Sequence, residues 1–315
     1  MEDLTLKVSN LCKSYPEFRL INMNFELRKG MILGLIGANG AGKSTTIRCV
    51  TGQTPFEQGV ITLGGVPLTE DPKRFKQSIR YVGESTDIYD HVRARALYQF
   101  VRQFYYRWDD QRFWQLMTDF DLNVNQKIKQ YSKGMRVRLH LAIALSHRAD
   151  VLIMDEPTTG LDPLVRNQLL EILILSDEAH RNGASVLFST HITEDVQKIA
   201  TDVCFMAGGS IILEEEVSSI QDKYLELQGL DGCEERFRPM VVRRFRNRAI
   251  VRRSPELSEL LLASPTVASR KLSLDDLLIA LIERGANSRA QTQQEHQGRF
   301  RDLRHHARTN RRCRH

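Results

Sequence analysis

Alternating apolar and polar residues run through the first part of the chain and predict β-strands. The alternation is visible in LTLKVSN, in FRLINMNFELRKG and in MILGLIG, and the last of these stretches ends in a glycine-rich turn. Between about 85 and 135 the apolar residues instead recur at helical spacing, as in VRARALYQFVRQFYYRW. The pattern therefore predicts a strand-rich start followed by a helical insert.

Helices and short strands alternate further along the chain. The strands are almost entirely apolar, as expected for strands buried in a central parallel sheet. A βαβ rhythm of this kind predicts a parallel sheet with helices on both faces. The predicted elements are a helix at 133–147, the strand VLIMD, a helix at 163–180, the strand ASVLFST, the helix TEDVQKIA and the strands DVCFMAG and SIILE.

The rhythm stops near residue 217, which divides the chain into three parts. Residues 1–217 form the predicted main domain. Residues 218–285 contain short strand and helix patterns, such as YLELQG and SLDDLLIALIER, and predict a small α+β accessory region. Residues 286–315 are poor in aliphatic residues and rich in Arg, Gln and His, so we expect a disordered tail.

No apolar stretch of the sequence is long enough to cross a bilayer. Candidates such as LEILIL at 170–175 are interrupted by charged residues within a few positions. The N-terminal MEDLTLKVSN lacks the basic and then apolar pattern of a signal peptide. With 41% hydrophobic residues among 315, the chain can bury one large core and a small second one. We therefore expect a cytoplasmic protein that reaches any membrane through a partner.

The net charge of +6 is concentrated in the C-terminal tail. Residues 286–315 carry eight Arg against two acidic residues, which accounts for the whole excess. Clustered Arg favours phosphates, so one interpretation is a contact with nucleic acid or anionic lipid. The tail has a single aromatic residue, Phe300, and no helical period. The alternative, which we favour, is a solvated and dispensable tail.

The cysteines give no sign of disulfides or of a zinc site. They are scattered along the chain with no CxxC spacing and no paired histidines. We therefore expect reduced, buried thiols. The five positions are Cys12, Cys49, Cys204, Cys233 and Cys313.

The stretch GANGAGKST at 37–45 has the spacing GxxxxGK[ST] of a phosphate-binding loop. It follows a predicted strand and precedes a helical run, which is the context that such a loop requires. Its glycines let backbone N–H groups point at phosphate oxygens, and the helix N-terminus adds partial positive charge. Lys43 can reach the β and γ oxygens, and Ser44 can offer its hydroxyl to Mg²⁺. The predicted nucleotide-binding residues are Gly37, Ala38, Asn39, Gly40, Ala41, Gly42, Lys43, Ser44 and Thr45.

Two carboxylates stand at the end of a predicted buried strand, in VLIMDEPTTGLDP at 151–163. In enzymes with a phosphate loop the strand-end Asp holds Mg²⁺, and Asp155 fits that position. Glu156, one residue later, can act as the general base for an attacking water. An acidic strand end is weak evidence alone, because strands often end in acids. After a phosphate loop it predicts a hydrolytic site.

Two further residues have both an ordinary structural interpretation and a functional one. Asp162, followed by Pro163, is a common helix start with Asp as the N-cap, and the same residue can contact another subunit. His191, at the end of the strand in LFSTHIT, can hydrogen-bond a γ-phosphate and orient the water. A lone His at a strand end is more often a plain loop residue, and only its place in this series favours the functional interpretation.

Over residues 1 to about 217, these elements in this order resemble the ATP-binding subunit of ABC transporters. The resemblance implies an α/β fold, with a P-loop NTPase core around a parallel sheet, an N-terminal antiparallel β subdomain and a helical insert. It makes 37–45 the Walker A loop, LIMDE the Walker B strand, Asp162 the D-loop residue and His191 the switch histidine. It also implies ATP hydrolysis, with ATP and Mg²⁺ bound.

The family's signature sequence, usually LSGGQ, corresponds here to YSKGM at 131–135. In the family this segment lies at a helix N-terminus and binds the γ-phosphate of ATP held by the opposite subunit. The resemblance thus implies a dimer, of identical or related ATPase chains. The expected contacts are Ser132, Lys133, Gly134 and Met135. Lys133 replaces the first Gly and adds a cation, while Met135 replaces the Gln and removes a polar contact.

Two more site residues follow from the resemblance. Tyr15, in CKSYPEF, is expected to stack on the adenine. The family's Q-loop glutamine, which touches Mg²⁺ and faces the permease, should fall in IRYVGESTDIY, where this sequence has Glu84. A carboxylate can bind the metal more strongly, but it adds negative charge beside the γ-phosphate. We expect Glu84 on the metal side of the site, with Ser44 and Asp155.

The run SKGM…LAIALSHRADVLIMDEPTTGLDP resembles exporter ATPases of the ABC-2 type, in branches linked to peptide or antibiotic export in Gram-positive bacteria. It implies a separately encoded ABC-2-type permease as partner, at the inner face of the cell membrane. The alternative class is a soluble ABC ATPase acting on ribosomes or DNA. Such proteins carry two cassettes or long coiled coils, whereas this sequence has one cassette and no sustained heptads. We therefore do not expect nucleic acid as a partner.

Overall fold

The computed structural model describes residues 4–83, 90–175, 184–230, 234–245 and 248–280. The chain divides into two compact units, with the boundary along the sequence between Ile220 and Gln221. The sequence places the boundary slightly earlier, after 217, where the regular alternation of strands and helices stops.

The first unit contains an N-terminal sheet, a central sheet and a helical insert. Its strands are β1 (Leu4–Ser14), β2 (Arg19–Arg28), β3 (Ile32–Ile36), β4 (Gln58–Leu63), β5 (Val66–Pro67), β6 (Ile79–Val82), β7 (Val151–Asp155), β8 (Ser185–Thr190), β9 (Asp202–Ala207) and β10 (Ser210–Glu216). Its helices are α1 (Lys43–Val50), α2 (Pro72–Ser78), α3 (Ala94–Val101), α4 (Asp110–Asp119), α5 (Lys133–Leu145), α6 (Pro163–Leu175) and α7 (Thr193–Ile199), with 3₁₀ turns at Arg102–Phe104 and Ile128–Gln130. A further helix, α8 (Val217–Lys223), contains the boundary.

The N-terminal sheet is antiparallel, in the order β2-β1-β4-β5. Val8 of β1 lies opposite Phe25 of β2 and Ile61 of β4, and all three side chains are buried. This row of apolar side chains faces a core shared with the central sheet and α1. The alternation in the sequence thus correctly predicts both the strands and their buried face.

The central sheet has the order β10-β9-β3-β8-β7-β6. Neighbouring strands from β9 to β6 are parallel, and every residue of β3, β7 and β8 is buried. Full burial explains why β3 and the first four residues of β7 are continuous apolar runs, while β8 has an apolar centre with its polar residues at the two ends. The edge strand β10 departs from the predicted parallel sheet, because it pairs antiparallel with β9. Gly208 and Gly209 both have positive φ and make the tight turn that reverses the chain.

The register of the central strands brings the candidate residues to one edge of the sheet. Ile36 at the end of β3 pairs with Thr190 of β8, and Asp155 at the end of β7 pairs with Ser189 of β8. Parallel strands end at the same edge, so the segments that follow them lie side by side. The phosphate loop, Glu156 and the residue after β8 are therefore neighbours.

The helical insert packs around aromatic side chains. Tyr98 of α3 stacks on Phe113 of α4, with ring centroids 4.4 Å apart, and Trp114 lies 5.0 Å from Tyr98. The predicted helical insert is confirmed, although α5 ends at Leu145, two residues before the end of the predicted helix 133–147. The predicted helix 163–180 is seen as α6 up to Leu175, and its remainder lies outside the described residues.

The second unit is a small α+β fold, as its sequence predicts. Its elements are β11 (Tyr224–Gln228), α9 (Glu234–Phe237), a 3₁₀ turn at Arg238–Met240, β12 (Val241–Arg244), β13 (Arg248–Arg252), α10 (Pro255–Leu262), β14 (Ala268–Arg270) and helical residues 274–280. The strands form an antiparallel sheet in the order β12-β13-β11-β14. Leu227, Phe237, Val251 and Leu257 share its core. The elements α9 and β14 are not predicted from the sequence, because they are too short to show a period.

Three cysteines lie in the described part of the chain, and all are free thiols. Cys49 and Cys204 are buried, and Cys12 is half-buried. Burial raises the pKa of Cys49 to about 11, so this thiol stays protonated at neutral pH. Cys233 and Cys313 lie outside the described residues.

Two other predictions also fall outside the described residues, namely Glu84 and the Arg-rich tail 286–315. Within the described ranges, no helix combines the length and the apolar character that crossing a membrane requires.

Candidate functional site

The phosphate loop between β3 and α1 is constrained at its glycines. Gly40 and Gly42 have positive φ values of 80° and 109°, a region that favours glycine. A Cβ on Gly37 would lie 2.5 Å from the carbonyl oxygen of Met206. The helix α1 begins at Lys43, so its first N–H groups face the loop. The loop therefore has the backbone shape and the helix N-terminus that the phosphates of ATP require.

Lys43 places its ammonium group at the centre of this loop. The residue is buried, and its Nζ donates to the carbonyl oxygens of Gly37 at 2.7 Å and Ala38 at 3.3 Å. Its charge is balanced by Glu156, whose Oε1 lies 3.1 Å from Nζ. The predicted phosphate-binding cation and the predicted general base are thus in direct contact.

Ser44 and Asp155 provide the oxygen atoms for a hard cation. The Ser44 hydroxyl donates to Asp155 Oδ1 at 3.1 Å, and the Ser189 hydroxyl donates to the same oxygen at 2.6 Å. Mg²⁺ is commonly held by one or two protein oxygens together with the phosphates of a nucleotide. The described residues contain no group of three or more His, Cys, Asp or Glu side chains suited to a metal. The hydroxyl of Ser44 and the carboxylate of Asp155 fit Mg²⁺ bound together with the phosphates of a nucleotide.

Glu156 is fixed by four neighbours directly after β7. Its φ of 51° is uncommon for a residue other than glycine. Its N–H donates to the Ser189 hydroxyl at 2.9 Å. Its Oε2 accepts a hydrogen bond from the Thr159 hydroxyl at 2.8 Å and lies 2.8 Å from His191 Nδ1, while Oε1 pairs with Lys43. The structure therefore brings together the carboxylate and the histidine that the sequence singles out separately.

The environment keeps the Glu156 carboxyl ionised. Burial raises its pKa, but the hydrogen bond from Thr159 and the charge of Lys43 lower it by more, so its pKa lies below the ordinary glutamate value. At neutral pH the group is a carboxylate. An ionised carboxylate at the mouth of a phosphate loop can accept a proton from a water molecule.

Tyr15 lies on a tight turn that packs against the phosphate loop. The Tyr15 N–H donates to the carbonyl oxygen of Phe18 at 2.7 Å. A Cβ on Gly42 would lie 2.8 Å from the Phe18 ring, which shows how closely the turn and the loop pack. Tyr15 itself is 40% exposed, with Lys13 Nζ 5.2 Å from its ring centroid. An exposed aromatic ring at this place can stack on a nucleotide base.

The YSKGM segment lies at the N-terminus of α5 on the protein surface. Ser132 is the N-cap, and its Oγ accepts a hydrogen bond from the Met135 N–H at 3.2 Å. Ser132 and Lys133 are exposed, whereas Gly134 and Met135 are half-buried. In the described part of the chain, no hydrogen bond or ion pair joins 132–135 to the phosphate loop.

The signature segment instead packs on the loop that leads into α6. A Cβ on Gly134 would lie 2.9 Å from the Val165 side chain, so a larger residue there would push α5 away from α6. A Cβ on Gly160 would lie 2.6 Å from Lys133 Nζ. Lys133, one of the two residues that depart from the family signature, thus covers the D-loop backbone of its own chain.

Asp162 caps α6, as the sequence predicts. Its Oδ1 accepts hydrogen bonds from the N–H groups of Leu164 and Val165, each at 3.1 Å. Asp162 is exposed, and the neighbouring Leu164 is 68% exposed. The capping interpretation is confirmed, and the contact of Asp162 with another subunit stays a prediction.

Two hydroxyl residues of the site, Ser189 and Thr159, are not predicted from the sequence. Ser189 bonds both the Asp155 side chain and the Glu156 backbone, and Thr159 bonds the Glu156 side chain. Ser189 lies at the end of β8, opposite Asp155 at the end of β7. Its contact with Asp155 can be predicted only when the pairing of β7 with β8 is known.

We expect Gly37→Ala to destabilise the fold by about 3 kcal/mol, because the new methyl group would overlap a backbone oxygen that cannot easily move. Thermal unfolding measures this loss, and binding of a fluorescent ATP analogue measures the accompanying loss of affinity. The matched control is Gly40→Ala, where no described residue beyond its two chain neighbours has an atom within 4 Å of the added Cβ and the positive φ is the unfavourable feature. Its expected cost is about 1 kcal/mol. Equal costs for the two variants would contradict the packing described here.

Residues 20–159 match a family model described as ABC transporter, and this span contains the phosphate loop, YSKGM, Asp155 and Glu156. The lantibiotic transport ATP-binding protein SrtF of Streptococcus pyogenes is 34% identical over 214 residues, which cover 67% of this chain and 90% of that protein. The chain belongs to the ABC transporter ATP-binding family. As a member of this family it is an ATPase whose ATP hydrolysis is coupled to transport.

Further similarities agree with membership of the ABC transporter family. The linearmycin resistance ATP-binding protein LnrL of Bacillus subtilis is 31% identical over 243 residues, covering 70% of this chain and 77% of that protein. A solved ATP-binding subunit of an ABC transporter superposes with a TM-score of 0.62 at 26% identity, covering 69% of this chain and 92% of that one. The predicted ABC cassette fold is thereby confirmed.

Proposed function

We propose that this chain is the ATP-hydrolysing subunit of an exporter, and that it drives a separately encoded ABC-2-type permease for a peptide, an antibiotic or another amphiphilic cargo. The observation that carries the proposal is Glu156, held between Lys43, Thr159 and His191 at the mouth of the phosphate loop. The names of the similar proteins SrtF and LnrL, which refer to lantibiotic transport and linearmycin resistance, support the class of cargo.

ATP is proposed to bind along the edge of the central sheet. The backbone of 37–45 and Lys43 bind the phosphates, and the exposed Tyr15 ring stacks on adenine. Ser44 and Asp155 hold Mg²⁺, which neutralises charge on the phosphates when it is bound. Glu84 is proposed as a further residue on the metal side.

Glu156 is proposed to take a proton from the attacking water, and His191 to orient that water and the γ-phosphate. In the structure Lys43 helps to keep the Glu156 pKa low. When Lys43 turns towards phosphate oxygens, the carboxylate loses this cation and gains a negative neighbour. Both changes raise the pKa of Glu156 and make it a stronger base. The Lys43–Glu156 contact therefore keeps the base weak until a triphosphate occupies the loop.

A complete site is proposed to need two chains arranged head to tail. Each chain has one phosphate loop and one signature segment, and among the described residues no hydrogen bond or ion pair joins 132–135 to the phosphate loop of the same chain. A two-fold arrangement, with an identical or a related chain, pairs each loop with the other chain's segment. Ser132 can donate its hydroxyl proton to the γ-phosphate while its lone pair accepts from Met135. Lys133 and the N-terminus of α5 add positive charge near this phosphate, and Gly134 allows a close approach of the backbone. Asp162 is proposed to lie at the same interface.

The helical insert is proposed to contact the permease. Phe100 and Phe104 are 51% and 57% exposed, and their rings meet edge-on with centroids 4.9 Å apart. Tyr106, nearby in the chain, is 75% exposed. Neighbouring exposed aromatic side chains mark interaction sites more often than single ones do. Such a contact would hold the ATPase at the inner face of the cell membrane.

The test is to purify the chain with the membrane protein encoded beside it and to measure ATP hydrolysis in lipid nanodiscs. We expect the membrane protein to co-purify and to change the ATPase rate by several-fold. Replacing Phe100 and Phe104 together by Ser should abolish co-purification and leave the ATPase rate of the isolated chain within about twofold, because both rings are exposed. An ATPase rate that responds to ribosomes or DNA instead, with no binding to the membrane protein, would reject the exporter proposal.

A further inference from the structure

A fully buried carboxylate joins the two segments that carry Glu156 and His191. Asp195, in the first turn of α7, is 0% exposed. Its Oδ2 accepts a hydrogen bond from the Thr158 hydroxyl, and its Oδ1 accepts one from Arg166 Nε, both at 2.6 Å. Thr158 follows Glu156 closely in the chain, and Asp195 follows His191 closely.

These contacts close a ring of interactions. On one side Glu156 Oε2 lies 2.8 Å from His191 Nδ1, and on the other side Thr158 bonds Asp195. The short segments 156–158 and 191–195 are therefore linked at both ends. A ring of this size leaves the carboxylate and the imidazole few ways to move relative to each other.

Arg166 extends the ring to the exposed D-loop. It lies in α6 just after the cap, and its backbone N–H donates to the Asp162 carbonyl oxygen at 2.9 Å. Its side chain bonds Asp195 and also reaches Glu194 Oε2 at 3.4 Å. A displacement of Asp162 would therefore move α7, and with it His191.

Stability alone is a poor explanation for this cluster. A buried ion pair loses so much hydration that apolar residues of the same volume often stabilise a fold equally well. What a guanidinium and a carboxylate do provide is a narrow range of orientations. Helices α6 and α7 also share an exposed polar contact, in which Lys198 Nζ donates to Asn167 Oδ1 at 2.8 Å. This contact involves neither the segment 156–158 nor the segment 191–195.

We propose that Asp195, Thr158 and Arg166 form a positioning unit, which sets His191 against Glu156 and couples both to the D-loop. The inference rests on the hydrolytic roles proposed above for Glu156 and His191. None of the three residues belongs to the phosphate loop or bonds Lys43, so the unit acts on turnover and leaves ATP binding unchanged.

The test measures kcat and KM for ATP in Thr158→Val and Arg166→Ala, with thermal unfolding as a check on the fold. Thr158→Val keeps the size of the side chain and removes only its hydrogen bond. Since a misplacement of about 1 Å can lower a rate on the order of 100-fold, we expect kcat to fall by roughly 10- to 100-fold, with KM changed by less than about twofold. Thr158→Ser keeps the hydroxyl and should restore most of the activity. Lys198→Ala, which removes the exposed link between the same helices, should leave kcat within about twofold.

Three outcomes would overturn the inference. The first is a kcat for Thr158→Val as close to wild type as that of Lys198→Ala. The second is a loss of kcat/KM in Thr158→Val that comes from a higher KM, and the third is a loss of kcat that Thr158→Ser does not restore. Failure of the proposed function gives a different result, because Glu156→Gln would then retain near-normal turnover whatever the Thr158 variants do.

Discussion

Glu156→Gln is expected to bind ATP and to hydrolyse it slower than the wild type by on the order of 10²- to 10⁴-fold. The amide keeps the shape of the side chain and an oxygen for the Thr159 hydroxyl, which donates at 2.8 Å in the wild type. It cannot take a proton from water. Because ATP would then hold the two chains together without being consumed, the variant should accumulate as an ATP-bound dimer.

The measurement combines the turnover rate, ATP affinity and gel filtration with and without ATP. Glu26→Gln is the matched control, because Glu26 also pairs with a lysine, Lys7 at 2.7 Å, but on the surface of the N-terminal sheet. We expect it to keep wild-type turnover and a wild-type elution profile. Near-normal hydrolysis by Glu156→Gln would remove Glu156 from the role of general base.

The fold could be predicted from the sequence wherever apolar periodicity was strong. The buried strands β3 and β7 are almost entirely apolar, β8 has an apolar centre, and β1 and β2 alternate. The sequence of each of these segments therefore indicates which residues are buried. The strand order could not be predicted in the same way. It depends on contacts between residues far apart in sequence, such as β3 lying between β8 and β9. The strand β10 is predicted, as SIILE, but its antiparallel direction is not, because a strand can be followed either by a hairpin or by a crossover.

The site divides in a similar way. The phosphate loop, Asp155 and Glu156 could be located because their chemistry is encoded in consecutive residues with fixed spacing. Their partners come from other segments, as the Ser189 hydroxyl at Asp155 and the Lys43 ammonium at Glu156 show. The family resemblance implies that Lys133 adds a cation near the shared phosphate. The structure adds that its ammonium lies over Gly160 of its own D-loop, which gives this substitution a role inside one chain as well.

Ser132→Arg is expected to abolish hydrolysis that depends on dimers and to spare ATP binding by the isolated chain. Ser132 is exposed, and its hydroxyl accepts a hydrogen bond within its own helix turn, where loss of the cap costs about 1 kcal/mol. A long arginine there would block the approach of a second chain's nucleotide. Thermal unfolding should therefore change little, while turnover falls to the level of a monomer.

The decisive version of this experiment mixes two inactive variants. In a head-to-tail dimer of a Glu156→Gln chain with a Ser132→Arg chain, one of the two sites is intact. That site combines the phosphate loop and the base of the Ser132→Arg chain with the signature segment of the Glu156→Gln chain. Random pairing of equal amounts should therefore restore about a quarter of the wild-type single-turnover amplitude, because half of the dimers carry one good site of two. The matched control joins both changes in one chain and mixes it with Ser132→Arg, a combination that contains no intact site. If the mixture of single variants stays as inactive as this control, each nucleotide is handled within one chain, and the signature at the tip of α5 has no part in a neighbour's hydrolysis.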